Sequence, residues 1–221
     1  MEEELNLPVL NTYELWFPPV DEALSDGLLA IGGDLSSERL LLGYRNGIFP
    51  WFNEEDPILW WSPDPRCVVF PDHLKVSKSM KQVLRNGSFE FRTNTAFREI
   101  ITNCADAPRE GQPGTWITQD IIDAYTKLHQ QGYGHSAECW QGGVLVGGLY
   151  GILLGKVFFG ESMFSKVSNA SKFAFITWVE KLQQKGIELI DCQMHTPHLE
   201  SLGAEMISRE RFVGLLGKLI G

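Results

Sequence analysis

The chain has 221 residues and a mass of 24.9 kDa, with 43% apolar and 21% charged residues, enough to bury a core and of ordinary globular balance. Its formal net charge of −9 speaks, as an average, against nucleic-acid binding, because phosphate contact needs Lys and Arg. No run of about 18 uncharged apolar residues occurs, and Met1-Glu2-Glu3-Glu4 is acidic where an export signal is basic, so neither a membrane span nor a secretory leader is expected.

The charge is unevenly spread. Residues 1 to 64 hold 13 acids against Arg39 and Arg45, whereas residues 65 to 221 hold 17 bases and 15 acids. The four cysteines, Cys67, Cys104, Cys139 and Cys192, form no CxxC pair and no compact framework, which reads as reduced structural thiols of a cytosolic protein.

The first 64 residues are rich in aromatics, Pro and Gly and hold one short helix at most. Ser37 to Arg45 is the candidate, capped by Asp34 or Ser36, with Leu40, Leu41 and Tyr44 at helical spacing and a stop near Gly47. The Pro-rich stretch at 63 to 65 predicts a boundary between a small, acidic, aromatic-rich domain (1 to 64) and a main domain (65 to 221). A second helix is predicted over Val76 to Arg85 with Ser77 as cap. Lys75, Lys78, Lys81 and Arg85 recur at intervals that align them along one face, either a solvated face or a phosphate-binding stripe.

A third helix is predicted over Thr118 to Gln131, with Ile121, Ile122, Tyr125 and Leu128 as its apolar positions. From His135 to Phe164, turn signals at Gln141-Gly142-Gly143 and Leu154-Gly155-Lys156 divide apolar runs into an antiparallel three-stranded meander. A helix over Ala170 to Lys185, capped by Ser168 or Asn169, a strand over Ile187 to Gln193 and a helix over Ser208 to Leu219 complete the chain. The order implies an α+β fold, a mixed sheet with helices packed on it.

Several chemistries lack their signatures. Gly160-Glu161-Ser162-Met163-Phe164 misses the second glycine of a serine elbow and sits at a strand end. His195 and His198 flank Thr196-Pro197, which favours a turn over a helix face presenting two metal ligands, so no metal is expected. A Walker loop and a GxGxxG fingerprint are absent. The sharper constellation is Leu189-Ile190-Asp191-Cys192-Gln193: on a strand, Asp191 and Gln193 share one face while Ile190 and Cys192 point the other way. An acid in so apolar a strand needs partners, either as a loop anchor or as part of a site. Glu161 ends the meander in a similar context.

Gly27-Leu28-Leu29-Ala30-Ile31-Gly32-Gly33-Asp34-Leu35, Gly47-Ile48-Phe49-Pro50-Trp51-Phe52, Trp60-Trp61-Ser62-Pro63-Asp64-Pro65-Arg66, Gly114-Thr115-Trp116-Ile117-Thr118, Gly160-Glu161-Ser162-Met163-Phe164-Ser165, Asn169-Ala170-Ser171-Lys172 and Leu189-Ile190-Asp191-Cys192-Gln193 occur in that order. Together, over residues 17 to 212, the chain resembles the bacterial leucyl/phenylalanyl-tRNA–protein transferases. The resemblance implies an acetyltransferase-like fold of the GNAT kind for the main domain. It also implies transfer of Leu or Phe, less readily Met, from aminoacyl-tRNA to the N-terminal Arg or Lys of a protein, which marks that protein for degradation in the cytoplasm. GNAT enzymes cradle coenzyme A on a glycine-rich loop; the corresponding Ser165-Lys166-Val167-Ser168-Asn169-Ala170 has no such glycines, so neither coenzyme A nor another cofactor is expected.

By the same resemblance Gln193 orients the attacking amine with Asp191 polarising it from behind, and Glu161 meets the cationic acceptor. Trp51 and Trp116, otherwise core tryptophans, stack on the terminal adenosine, with Tyr44 and Tyr125 in the same neighbourhood. Leu149, Phe158, Phe175, Trp178 and Ile190 line the pocket for the aminoacyl side chain, and Lys75, Lys78, Lys81 and Arg85 contact acceptor-stem phosphates. The rival readings are an acyl-coenzyme A N-acyltransferase and a non-catalytic module that binds tRNA or protein N-termini.

Overall fold

The computed structural model describes residues 7–107 and 115–220; Gly114 of the fourth block lies outside them. The first part of the chain folds β1 (Val9–Leu10), β2 (Leu28–Gly32), α1 (Ser37–Arg45), β3 (Phe49–Pro50) and β4 (Leu59–Trp61). These strands form a four-stranded sheet in the order β1-β2-β4-β3. The sequence predicts one helix here and no sheet. The strands are two to five residues long, too short to show alternation.

The rest of the chain runs β5 (Arg66–Val69), α2 (Lys78–Arg85), β6 (Glu90–Thr93), α3 (Phe97–Asp106), α4 (Gln119–Gln130), β7 (Gly134–Gln141), β8 (Val144–Leu154) and β9 (Val157–Ser165). It ends with α5 (Ala170–Gln184), β10 (Leu189–Gln193), α6 (Pro197–Ser201), β11 (Glu205–Ile207) and α7 (Arg209–Leu219). Seven of these strands pair in the order β11-β5-β10-β9-β8-β7-β6. All neighbours are antiparallel except β9 and β10, which run parallel. The mixed sheet with flanking helices is the expected α+β class, and β7 to β9 are the expected meander.

Ser36 and Ser77, both expected as caps, each accept the backbone N–H three residues on, and so do Thr118 and Ser208, which the sequence places as the first residues of their helices and the structure places as caps. Asn169 does not; it enters α5 in the left-handed region, φ +70°, with no side-chain cap bond. Thr196-Pro197 proves to be a helix start rather than a turn, with Thr196 capping α6 and Pro197 at its first position, so His195 lies outside the helix that carries His198.

Helices cover both faces of the large sheet. On one face Phe97 and Ile100 of α3, Ile121 and Tyr125 of α4 and Phe212 of α7 pack on Tyr150 and Phe159. That core continues without a break into Trp60, Leu29 and Tyr44, so the two sheets share it. On the other face α5, with nine of its fifteen residues buried, packs with Met80 of α2 and Leu199 of α6 over Leu149, Phe158 and Ile190. Double coverage explains why β8 is apolar along nearly its whole length instead of alternating. Glu138 is fully buried in β7, yet it accepts from the N–H groups of Thr95 and Ala96, the hydroxyls of Thr95 and Ser136 and the Trp140 indole. Burial pushes its pKa up, and these donors more than offset that, holding it below the usual carboxylate range. No described helix is long and apolar enough to cross a membrane.

Candidate active site

Parallel pairing of β9 with β10 runs through Val157–Phe159 and Leu189–Asp191. Just past this shared segment each strand gains an extra residue. In β9, Gly160 and Ser162 face Gly151 and Tyr150, which leaves Glu161 bulged. In β10, Asp191 and Gln193 face Val68 and Cys67, which leaves Cys192 bulged. Bulges bend a strand and re-aim its side chains. A cavity of about 590 Å³ lies here, walled by residues of both strands, of α5 and of the segment after β10.

Because of the second bulge, strict alternation fails where it had been used to pair Asp191 with Gln193. Ile190, Cys192 and Gln193 all line the cavity, whereas Asp191 does not and is fully buried behind it. Gln193 sits at φ +61°, and Met194 N–H bonds the Cys192 carbonyl across it at 2.7 Å. Asp191 Oδ1 accepts the Gln193 backbone N–H at 2.9 Å, so it holds that turn and does not polarise the carboxamide. The carboxamide instead donates through Nε2 to Glu161 Oε1, also at 2.9 Å.

Asp191 has a partner that the sequence reading did not single out. Arg66 of β5 donates from Nε to Oδ1 (2.9 Å) and from Nη2 to Oδ2 (2.7 Å), the two-pronged geometry in which a guanidinium binds a carboxylate most specifically. Burial and the Asp191 charge push the adjacent Cys67 thiol up to about 11, and burial holds Cys192 well above its ordinary value. Neither is a nucleophile at neutral pH.

Glu161 lies at the base of the cavity, where Oε1 accepts from Tyr44 Oη at 2.7 Å as well as from Gln193, and Oε2 accepts from Tyr125 Oη at 3.2 Å. The two tyrosine hydroxyls also bond each other. Two hydroxyl protons cannot fill all three of these contacts, so the third is a hydrogen bond only while Glu161 itself carries a proton. Burial raises Glu161 to about 7 and Asp191 adds to the rise, against the downward pull of the Tyr44, Tyr125 and Gln193 hydrogen bonds. Burial and Glu161 together keep both tyrosines protonated, well above their ordinary range.

This placement corrects two expectations. Tyr44 and Tyr125 are fully buried beneath Glu161 and offer no face to an adenine. Trp178 does not line the cavity; its ring meets Phe158 edge-on from behind and borders a separate space of about 290 Å³ with Arg92 and Lys181. Leu149, Phe158, Phe175 and Ile190 do line it, as do Trp51 and Trp116. Trp51 is the exposed one, braced edge-on by Trp61, whose indole donates to the Trp51 carbonyl at 2.6 Å.

Ser162 lies within β9, not at its end, and His198 lines the far wall in its neutral form, since burial and Lys172 both disfavour charge there. Among the described residues no group of His, Cys, Asp and Glu could hold a metal. Lys75, Lys78, Lys81 and Arg85 are all exposed, while Met80 of the same helix is buried. None of the four makes an ion pair among the described residues.

Residues 68–217 match the family model described as leucyl/phenylalanyl-tRNA protein transferase, and residues 33–64 match the N-terminal domain of the same family. A leucyl/phenylalanyl-tRNA–protein transferase of Flavobacterium johnsoniae is 58% identical over 203 residues, 92% of this chain and 96% of the relative. One of Chromobacterium violaceum is 57% identical over 202 residues, 90% and 86%. Among solved structures, a GCN5-related N-acetyltransferase from Kribbella flavida superposes with a TM-score of 0.37 at 14% identity, covering 72% of this chain and 56% of the other. The strand order, and not that distant likeness, carries the description of the fold.

Proposed function

The chain belongs to the leucyl/phenylalanyl-tRNA–protein transferase family, aminoacyltransferases that act from tRNA onto protein, and from that premise we propose that the cavity between β9 and β10 is where charged tRNA meets its acceptor. The donor is leucyl- or phenylalanyl-tRNA, with methionyl-tRNA used less readily. The acceptor is a protein that begins with Arg or Lys, and its new N-terminus marks it for degradation in the cytoplasm.

An aminoacyl ester is already activated, so the protein's tasks are to orient it and to supply a neutral amine. Trp51 and Trp116 stack on the terminal adenosine, and the side chain of Leu or Phe enters among Leu149, Phe158, Phe175 and Ile190. Gln193 keeps its Oε1 for an N–H of the incoming amine while Nε2 is held by Glu161. Glu161 is the only acid among the described lining residues, which makes it the partner for a cationic N-terminus. Its value of about 7 lies close to that of an α-ammonium, about 8, so a proton passes between them at little cost. The amine nitrogen then attacks the ester carbonyl, the C–N bond forms, the bond to the ribose oxygen breaks, and that oxygen leaves with a proton.

Coenzyme A does not suit this chain. At the N-terminus of α5, where a pyrophosphate would need free N–H groups, Ser171 N–H already bonds Ser165 Oγ (3.2 Å) and Ala170 N–H bonds the Val167 carbonyl (3.2 Å).

The observation that carries the reading is the Gln193–Glu161 bond between the bulges of two neighbouring strands, opening on an apolar cavity lined by two tryptophans. Labelled leucyl-tRNA offered to peptides that begin with Arg, Lys or Ala tests it. Label is expected in the first two and not the third; equal transfer to all three, or comparable transfer from leucyl-coenzyme A, overturns it.

A further inference from the structure

Arg66 is buried and touches neither the cavity nor solvent, and each of its three guanidinium nitrogens donates a hydrogen bond. Both Asp191 oxygens accept from it, the Gly47 carbonyl accepts from Nη1 at 3.1 Å, and its Cζ lies 4.7 Å from the Phe49 ring centre and 4.6 Å from that of Phe212. Three separate parts of the chain thus meet on one guanidinium: the Gly47-Ile48-Phe49 block, β10 and α7.

We propose that Arg66 is a positioning residue for aminoacyl transfer, which fixes the Asp191 carboxylate so that it pins the left-handed turn of Gln193 and thereby aims the Gln193 carboxamide at Glu161. A positive φ is disfavoured for a residue with a Cβ and persists only where its surroundings over-determine it. What over-determines it here is Asp191 Oδ1, which accepts the Gln193 N–H and the Arg66 Nε at the same 2.9 Å. The planar fork sets the carboxylate plane, and the two aromatic rings set the plane of the fork. A lysine in its place would keep the charge and lose both constraints.

The inference rests on the reading above only in that Gln193 takes part in transfer, and a double-mutant cycle separates the two. Single-turnover transfer of leucine is measured at saturating leucyl-tRNA and Arg-peptide, with circular dichroism melts to establish the folded fraction. Arg66→Lys is expected to slow transfer about tenfold, with the half-saturating tRNA concentration within about twofold of wild type, and to have less than about a twofold effect in a Gln193→Ala background. Phe212→Leu, which leaves the ion pair but removes one ring, is expected to slow transfer about threefold with the same disappearance; should Arg66→Lys not fold, this variant decides alone. Wild-type rates in the folded variants, or losses of equal size with and without Gln193, overturn the inference and leave Arg66 a folding staple. A wild-type rate in Gln193→Ala itself overturns the reading of the site instead.

Discussion

Glu161 is where burial and chemistry pull against each other. Its folded pKa, about 7, lies above the unfolded value of about 4.3, so the native state holds the proton more tightly. The stabilisation from that proton is complete below about pH 4.3 and is lost as pH rises through 7. Glu161→Gln, which keeps an acceptor for Tyr44 and Tyr125 but never ionises, is therefore expected to gain on wild type by about 2 to 3 kcal/mol between pH 4.5 and pH 8, read from urea melts. Melts that shift in parallel across that range would show that Glu161 is not held near 7. The sequence offered Glu161 as a carboxylate in an apolar strand but gave no sign of the hydroxyl pair beneath it. Tyr44 and Tyr125 read as apolar positions on two helices and, by resemblance, as neighbours of the adenosine, and nothing local says that positions 81 residues apart bring their hydroxyls within bonding distance of one another and of Glu161.

Most of the helices, though not α3 or the short α6, were legible because their signals are local. A serine or threonine that accepts the N–H three residues on, followed by apolar residues at intervals of three and four, places α1, α2, α4 and α7 to within a residue or two. The bulges in β9 and β10 were not, because one unpaired residue leaves no mark in composition and shifts every later side chain to the other face. That is why Asp191 was placed beside Gln193 in the cavity and is found behind it. The basic face of α2 shows the same contrast: its spacing was readable, its exposure is now seen, and its partner is a proposal. Reversing two charges, Lys78→Glu with Lys81→Glu, is expected to raise the KM for leucyl-tRNA about tenfold near 0.1 M salt and to lower the slope of log KM against log salt by about two. A donor cut down to the aminoacylated terminal adenosine is expected to be unaffected; an unchanged KM for the full tRNA would free the stripe of this role.

Taken whole, the molecule places its site where its parts converge. Residues 63 to 65 lie between the last strand of one sheet and the first of the other, but Tyr44, Phe49 and Trp51 precede them, Arg66 and Glu161 follow them, and one apolar core runs beneath both sheets. Composition foretold a small aromatic-rich part with an acidic charge; it did not foretell that this part would supply a wall of the cavity and half of the sleeve around Arg66. On the proposed mechanism Gln193, held by Glu161 and by the turn behind it, aligns the amine on the ester. The most direct test of that alignment is the single-turnover rate of leucine transfer by Gln193→Ala at saturating leucyl-tRNA and Arg-peptide. The expected rate is about a hundredfold below wild type, with tRNA affinity retained. A variant that transfers leucine at the wild-type rate would contradict it.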